Sequence, residues 1–294
     1  MKRVLGFLGG LIAIFLIIGI VLPYVYLGSS RDFQEVSITG NDYHLNGYLS
    51  KGNNPEGMWI ILTHGNRKDG QSHELYQKIR ENIPNPHSVL AIDFRGFGNS
   101  SSEGLENSEQ IIDRIPDIES TVNYLRENFG VREDQIVLIG HSLGASQVMR
   151  AAVDHEYKMA IPIGLGDWDS VLADQEELES YSQKYFVNTG VQVSTDQILS
   201  EGQQFLSEYL FSDCPDTPAW LIFSSRDDGF EALSPKLQEI HALCGEELQW
   251  SKIPFTNHMY GTEFDRLPNT VAKIISNINM SLLMLRMNLI LESI

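Results

Sequence analysis

The run GHSLG at residues 140–144 limits the possible folds more than any other feature of this chain. Residues 135–139, directly before it, form an apolar run rich in β-branched side chains, which is typical of a fully buried strand. Residues 145–153, directly after it, are typical of a helix lined with small residues. Glycines on both sides of Ser142 allow a sharp turn that exposes the hydroxyl. The run therefore predicts a strand–turn–helix unit with Ser142 as a candidate nucleophile.

Strand and helix patterns alternate from Phe33 onward, and this alternation predicts an α/β sheet. The first two strands flank the turn residues at 40–42, which form a hairpin signal. A polar segment around 72–82, followed by two prolines, and an amphipathic segment at 111–129 each predict a helix. In chain order the predicted strands are Val36–Thr39, Tyr43–Leu49, Met58–Thr63, Ser88–Phe94, Gln135–Ile139, Met159–Gly164, Ala219–Ser224 and Leu248–Pro254.

A long insertion at about 165–218 separates two of the predicted strands. It contains eleven acidic residues but a single basic residue, Lys184, together with seven Trp, Tyr and Phe side chains. Helical spacing with aromatic residues inside and carboxylates outside fits a small helical cap over a site. The expected organisation is thus an N-terminal segment at 1–30 followed by one domain at 31–294 that carries this cap.

The N-terminal segment is predicted to associate with a membrane. Lys2 and Arg3 precede residues 4–27, which contain no charged side chain and would span roughly 36 Å as a helix, more than the ~30 Å of bilayer hydrocarbon. This is longer than an ordinary signal-peptide core, so we expect an uncleaved transmembrane signal anchor. The small residues at 28–30 leave a cleaved leader, and hence a secreted protein, as the alternative. Either form has its main domain on the extracytoplasmic side, because the positive flank stays inside.

Net charge and cysteine content narrow the possible partners. A formal net charge of −18 argues against nucleic acid as a partner. No Cys/His spacing typical of metal ligands is present, so neither a metal site nor a cofactor is expected. The two cysteines, Cys214 and Cys244, would precede successive strands at the same end of the sheet. A disulfide between them and two free buried thiols both remain open.

A nucleophilic serine requires a base, and the base requires a group that orients it. His258 follows the last predicted strand, from which a loop side chain reaches back toward Ser142. Asp228, after the preceding strand, is the first candidate for the orienting acid, and Asp227 is the second. Asp167 and Asp169 are weaker alternatives. These residues stand at strand ends in the order serine, acid, histidine, and that order favours a catalytic triad.

An acyl-transfer site also requires backbone N–H groups that bind the developing oxyanion. Leu143, directly after the candidate nucleophile, is expected to supply one of them. Asn66, in the loop after the third predicted strand, is expected to supply the other. His64 and His141 are expected to be structural.

These motifs together resemble the α/β-hydrolase superfamily, and most closely its branch of monoglyceride lipases, serine aminopeptidases and membrane-anchored α/β-hydrolase-domain proteins. The resemblance spans about residues 36–278. It implies a mostly parallel eight-stranded sheet flanked by helices, and an ion pair for Arg95. Carried over by position, it implies Ser142 as nucleophile, Asp228 as acid, His258 as base, and Asn66 and Leu143 as oxyanion donors. One departure from the family pattern is Ser225, which replaces a glycine three residues before the acid and leaves Asp227 open as the acid.

The expected activity is that of a serine hydrolase that cleaves small-molecule acyl esters through an acyl-enzyme. The acidic cap favours neutral over anionic esters. An aminopeptidase, amidase or thioesterase has the same residues, and a non-catalytic binding module on the same fold is a further alternative. No substrate-binding residue is predicted.

Overall fold

The computed structural model describes residues 31–103, 105, 113–165, 168–205, 214–225, 235, 237–239, 241–245, 248–254 and 266–278. The predicted anchor, along with Asp167, Asp227, Asp228 and His258, lies outside the described residues. In the ranges that the structure covers, no helix has both the length and the apolar character needed to cross a membrane.

An eight-stranded sheet, mostly parallel, forms the centre of the molecule. Its strand order is β1-β2-β4-β3-β5-β6-β7-β8, with β1 and β2 antiparallel to their neighbours and the others parallel. The predicted α/β sheet is therefore confirmed. The strands are β1 Gln34–Thr39, β2 His44–Ser50, β3 Trp59–Thr63, β4 Ser88–Ile92, β5 Ile136–His141, β6 Met159–Ile163, β7 Ala219–Ser224 and β8 Leu248–Ile253.

Helices connect the parallel strands, and the described residues between β6 and β7 form three of them. The helices are α1 Glu74–Asn82, α2 Ile115–Phe129, α3 Leu143–Asp154, α4 Trp168–Ala173, α5 Gln175–Thr189 and α6 Thr195–Phe205, and a further helix covers 266–278. The predicted start of α2 at residue 111 is wrong, since the helix begins at Ile115. Pro116 explains the difference, because a proline is tolerated in the first turn of a helix but breaks its interior.

The alternation of side chains along each strand produces two separate core faces. On one face Ile61 and Leu138 pack in a cluster with α2 and α3, and the same cluster contains Tyr185 of α5. On the other face Ile60 and Val137 pack in a cluster with α1 and helix 266–278. Each fully buried aliphatic side chain contributes about 1.5–3 kcal/mol to folding, so both faces of the sheet hold the helices in place.

A buried arginine connects the helices between β6 and β7 to the rest of the domain. The side chain of Arg114, just before α2, donates a hydrogen bond to the Tyr185 hydroxyl on α5. The backbone N–H of Arg114 donates to Gln147 Oε1 on α3. The position of α5 is therefore determined by polar contacts as well as by apolar packing.

Cys214 and Cys244 form a disulfide. Of the two possibilities that the sequence left open, the structure has the paired one. The bond joins the segment before β7 to the segment before β8, so it links the chain at the starts of the last two strands.

The side chain of Arg31 ties the first described residue to the domain. Its guanidinium donates to the carbonyl oxygens of Ile83 (3.0 Å), Pro84 (2.9 Å) and His87. These carbonyls belong to the loop between α1 and β4, at the amino end of β4. The chain thus enters the domain at the amino edge of the parallel strands.

Candidate active site

Ser142 adopts a strained backbone conformation, with φ 54° and ψ −112°. Among the described residues it is the only non-glycine residue with a positive φ. A conformation of this kind costs a side-chain-bearing residue about 1–3 kcal/mol and persists only where surrounding contacts impose it. The predicted strand–turn–helix unit is present, since β5 ends at His141 and α3 begins at Leu143.

The two glycines of the turn allow β5 and α3 to approach closely. A Cβ atom on Gly140 would lie 2.1 Å from the carbonyl oxygen of Gly144, and one on Gly144 would lie 2.5 Å from Thr63 Oγ1. Neither position has room for a side chain. The serine is thereby held at the carboxyl edge of the sheet, where ligands of α/β proteins bind.

Two backbone N–H groups next to Ser142 have no hydrogen-bond acceptor within the described part of the chain. On either side of Leu143, the N–H of Ser142 donates to Ile163 O (2.9 Å) and the N–H of Gly144 donates to His64 O (3.1 Å), but the Leu143 N–H has no such partner. The Asn66 N–H shows the same pattern.

The N–H groups on both sides of Asn66 are engaged. Gly65 N–H donates to the Tyr76 hydroxyl (2.8 Å), and Arg67 N–H donates to Gly65 O (2.8 Å). Asn66 is itself 8% exposed, so its N–H is a largely buried donor without an acceptor among the described residues. Both N–H groups are the ones that the sequence predicts as oxyanion donors, and that role stays a prediction.

The loop at 64–66 lies directly against Ser142, because a Cβ on Gly65 would be 3.0 Å from the serine Cβ. Buried polar contacts fix this loop. The Tyr76 hydroxyl accepts from Gly65 N–H and contacts His141 Nδ1 at 2.9 Å. His64 Nδ1 lies 2.7 Å from Gly65 O, and His64 Nε2 accepts from the N–H of Phe94 (3.0 Å). Burial lowers the pKa of His64, so the imidazole stays neutral and retains its acceptor nitrogen. Both histidines occupy structural positions.

The neighbouring loop at 93–100 is held by carboxylates. Asp93, fully buried, accepts from the N–H groups of Gln71 (2.6 Å) and Asn99 (3.1 Å). Arg95 Nε is 2.5 Å from Asp117 Oδ1, so the ion pair expected for Arg95 is present. These contacts hold Phe94, whose N–H binds His64, and thereby support the loop beside Ser142.

A cavity of about 340 Å³ opens beside Asn66. Six residues from the loop after β3 and from α5 line it, and three of them are cationic: Asn66, Arg67, Lys68, Asp69, Lys184 and Asn188. The side-chain amide of Asn188 donates to Asn66 O (2.9 Å) and to Asn66 Oδ1 (2.8 Å). Sequence reasoning missed this lining, although Arg67 and Lys68 directly follow the predicted donor.

The structure brings Ser142, Leu143 and Asn66 together at one edge of the sheet. Asp228 follows β7 and His258 follows β8, and both lie outside the described residues, as does the alternative Asp227. No group of three His, Cys, Asp or Glu side chains is placed to hold a metal ion in the part of the chain that is described.

The fold and the serine turn are those of a hydrolase class. Residues 60–260 match the profile of the alpha/beta hydrolase family, and the chain belongs to that family. The uncharacterized protein YfhR of Salmonella typhimurium is 31% identical over 137 residues, which are 45% of this chain and 44% of that protein. The match thus spans less than half of this curated relative.

Solved structures show the same fold. Est1E from Butyrivibrio proteoclasticus, solved with ferulic acid, superposes with a TM-score of 0.60 at 18% identity, over 83% of this chain and 99% of Est1E. XC6422 from Xanthomonas campestris, an α/β serine hydrolase without a lid, has a TM-score of 0.58 at 13% identity, over 84% of this chain and 94% of that one. Serine hydrolases, esterases among them, are therefore its structural neighbours.

Proposed function

We propose that this protein is a serine hydrolase that cleaves acyl esters through an acyl-enzyme, with Ser142 as the nucleophile. The observation that carries the proposal is the strained backbone of Ser142 between two N–H groups that lack acceptors in the described structure. Strain at a single serine, combined with unused buried donors, is what acyl transfer needs and what a structural serine does not need.

In the proposed reaction Ser142 Oγ attacks the ester carbonyl, and His258 takes the serine proton. The N–H groups of Asn66 and Leu143 stabilise the oxyanion. Asp228 orients the imidazole, which then protonates the leaving alcohol. A water molecule, deprotonated by His258, releases the acid from the acyl-enzyme. Support for Asp228 and His258 comes from the order of the three residues along the chain and from their positions after β7 and β8.

The test is covalent labelling by a fluorophosphonate, together with hydrolysis of 4-nitrophenyl esters by the full chain in detergent. Ser142→Ala is expected to abolish labelling and to lower kcat/KM by at least about 10³-fold. Ser37→Ala, on the exposed edge strand β1, is the matched control. An unlabelled wild-type protein without esterase activity would support the non-catalytic alternative instead.

The choice between the two aspartates has its own test. Asp228→Asn is expected to lower kcat by about 10⁴-fold, because the imidazole loses its orienting carboxylate. Asp227→Asn is expected to retain most of the activity. The opposite pattern would assign the acid to Asp227.

A substrate panel separates the ester reaction from its alternatives. Esters, aminoacyl amides and thioesters with the same acyl group are to be compared by kcat/KM. The proposal requires esters to rank first. A preference for aminoacyl amides would identify an aminopeptidase.

We also propose that residues 4–27 anchor the protein in a membrane, with the catalytic domain on the extracytoplasmic side. The length and the uncharged character of this segment support the proposal. Fractionation of cells that express the full chain and a chain starting at Arg31 tests it. Recovery of the full chain in the soluble fraction, or cleavage after residue 30, would contradict an anchor.

A further inference from the structure

The cationic cavity beside Asn66 contrasts with the rest of this acidic protein. The chain has a formal net charge of −18, yet Arg67, Lys68 and Lys184 line one cavity. The lining contains one acidic residue, Asp69, whose Oδ1 lies 3.2 Å from Arg67 Nε. The lining residues therefore sum to a charge of +2.

Lys184 is a basic residue in an otherwise acidic segment, and it lies over this cavity. The insertion at 165–218 contains eleven acidic residues, and Lys184 is its single basic residue. Lys184 and Asn188 are four residues apart on α5 and share one face of that helix. Since Asn188 is hydrogen-bonded to Asn66, the lysine lies about one helical turn away, over the same cavity.

Asn66, which lines this cavity, also holds a buried donor. The side-chain Nδ2 of Asn66 is shielded from solvent and has no hydrogen-bond partner among the described residues. Its Oδ1 is occupied by Asn188. A buried amide N–H without an acceptor costs roughly the desolvation of that group.

We infer that the cavity binds an anionic group, a carboxylate or a phosphate, carried by the ester substrate. The inference rests on the proposed function, because the cavity adjoins Asn66, the predicted oxyanion donor. Arg67, Lys68 and Lys184 supply the positive charge that attracts such a group. The acidic cap favours neutral esters, whereas this inference predicts a preference for anionic ones.

Binding to the Ser142→Ala variant of the full chain tests the cavity without catalysis. Isothermal titration with monomethyl adipate and with dimethyl adipate compares an anion with its neutral isostere. We expect about 10-fold tighter binding of the anion at low salt, since each exposed charge pair contributes about 2- to 5-fold. Sodium chloride at high concentration should remove the difference.

Charge variants locate the binding site. Lys184→Gln in the same background is expected to reduce the preference for monomethyl adipate about 3-fold. Lys273→Gln, which removes an equally exposed lysine from helix 266–278, is the matched control and should leave the preference unchanged. An equal effect of both variants would show that the net charge of the protein, and not this cavity, is responsible.

Two substrate pairs distinguish the kind of anion. The monoanionic 4-nitrophenyl ester of adipic acid is compared with 4-nitrophenyl hexanoate, and hexanoylglycerol phosphate with hexanoylglycerol. A higher kcat/KM for the charged member of the first pair, abolished by salt, identifies a carboxylate on the acyl side. The same result in the second pair identifies a phosphate on the alcohol side.

Equal kcat/KM values in both pairs and equal affinities in the titration would overturn the inference, and labelling of Ser142 would then still support the hydrolase. An anion preference in the titration without labelling or hydrolysis would instead reject the hydrolase and retain the anion site.

Discussion

At the scale of single residues, Ser142 combines backbone strain with fixed neighbours. Its N–H is bonded to Ile163 O and the N–H of Gly144 is bonded to His64 O, so the strained turn is attached to β6 on one side and to the loop at 64–66 on the other. These attachments prevent the serine from relaxing to a negative φ. Stability is lost at this position so that the hydroxyl is presented at the sheet edge.

The strain predicts a gain of stability when the side chain is removed. Ser142→Gly is expected to raise the free energy of unfolding by about 1 kcal/mol, because glycine adopts a positive φ without steric cost. Ser142→Ala, which keeps a Cβ, should give no such gain, and both variants should be inactive. Urea denaturation measures the difference. A glycine variant no more stable than the alanine variant would mean that the turn is unstrained.

His87 predicts how stability depends on pH. Burial, with a smaller contribution from the Arg31 guanidinium, lowers the pKa of His87 from 6.5 to about 4. The unfolded chain therefore binds a proton below pH 6.5 that the folded protein does not bind until about pH 4. The free energy of unfolding should fall by up to about 3 kcal/mol as the pH drops through this window.

Protonation would also remove the acceptor for the Met58 N–H, which lies 3.2 Å from His87 Nδ1. His87→Asn, with a carbonyl oxygen near the same position, should flatten the pH dependence in urea titrations at pH 7 and pH 4.5. His44→Asn, at an exposed position, is the control. An unchanged slope in the His87 variant would contradict the assignment.

At the scale of elements, the unit formed by β5, the serine turn and α3 depends on close contact between strand and helix. A side chain on Gly140 would collide with the carbonyl oxygen of Gly144, a backbone atom that cannot rotate away. The contact therefore determines both the packing of α3 on the sheet and the position of Ser142.

Gly140→Ala is expected to destabilise the protein by about 3 kcal/mol and to lower esterase activity at least about 10²-fold, since the helix must shift. Gly130→Ala separates this collision from backbone strain. Gly130 has φ 66° but no atom within 4 Å of an added Cβ. That variant should lose only about 1 kcal/mol and keep full activity. A Gly140→Ala variant with unchanged stability and full activity would show that the collision has no effect.

The elements themselves were largely predictable from local patterns. The predicted strand at 219–224 matches β7, and the other strands agree with prediction to within two residues at each end. β-branched apolar runs between turn residues are a strong signal for buried strands. The predicted start of α2 was wrong because the apolar spacing continues upstream of Pro116. Spacing alone takes no account of the backbone restriction that proline imposes.

At the scale of the whole molecule, contacts between distant segments could not be predicted from local sequence patterns. Asn188 and Asn66 are 122 residues apart, and no spacing in the sequence pairs them. The same holds for Lys184 and Arg67, which come together only because α5 lies over the loop after β3. The serine turn and the loop that contains Asn66 could be located from sequence because each follows a recognisable strand.

The disulfide predicts a dependence of global stability on redox conditions. Reduction of Cys214–Cys244, which closes a loop with a sequence separation of 30, is expected to lower the free energy of unfolding by about 3–4 kcal/mol. Denaturation with and without dithiothreitol measures this loss. The double variant Cys214→Ser, Cys244→Ser should be as stable as the reduced protein and indifferent to reductant. A wild-type protein that ignores reductant would contradict the bond.

The attachment of Arg31 has a consequence for orientation. Its three carbonyl partners precede β4, whereas Ser142 and Asn66 follow β5 and β3 at the other end of the same strands. Five residues of strand separate the two edges by roughly 15 Å. If residues 4–27 anchor the protein as proposed, the anchored segment joins the domain at the edge of the sheet opposite to Ser142. The proposed substrates would then reach Ser142 from the surrounding water, where charged esters dissolve.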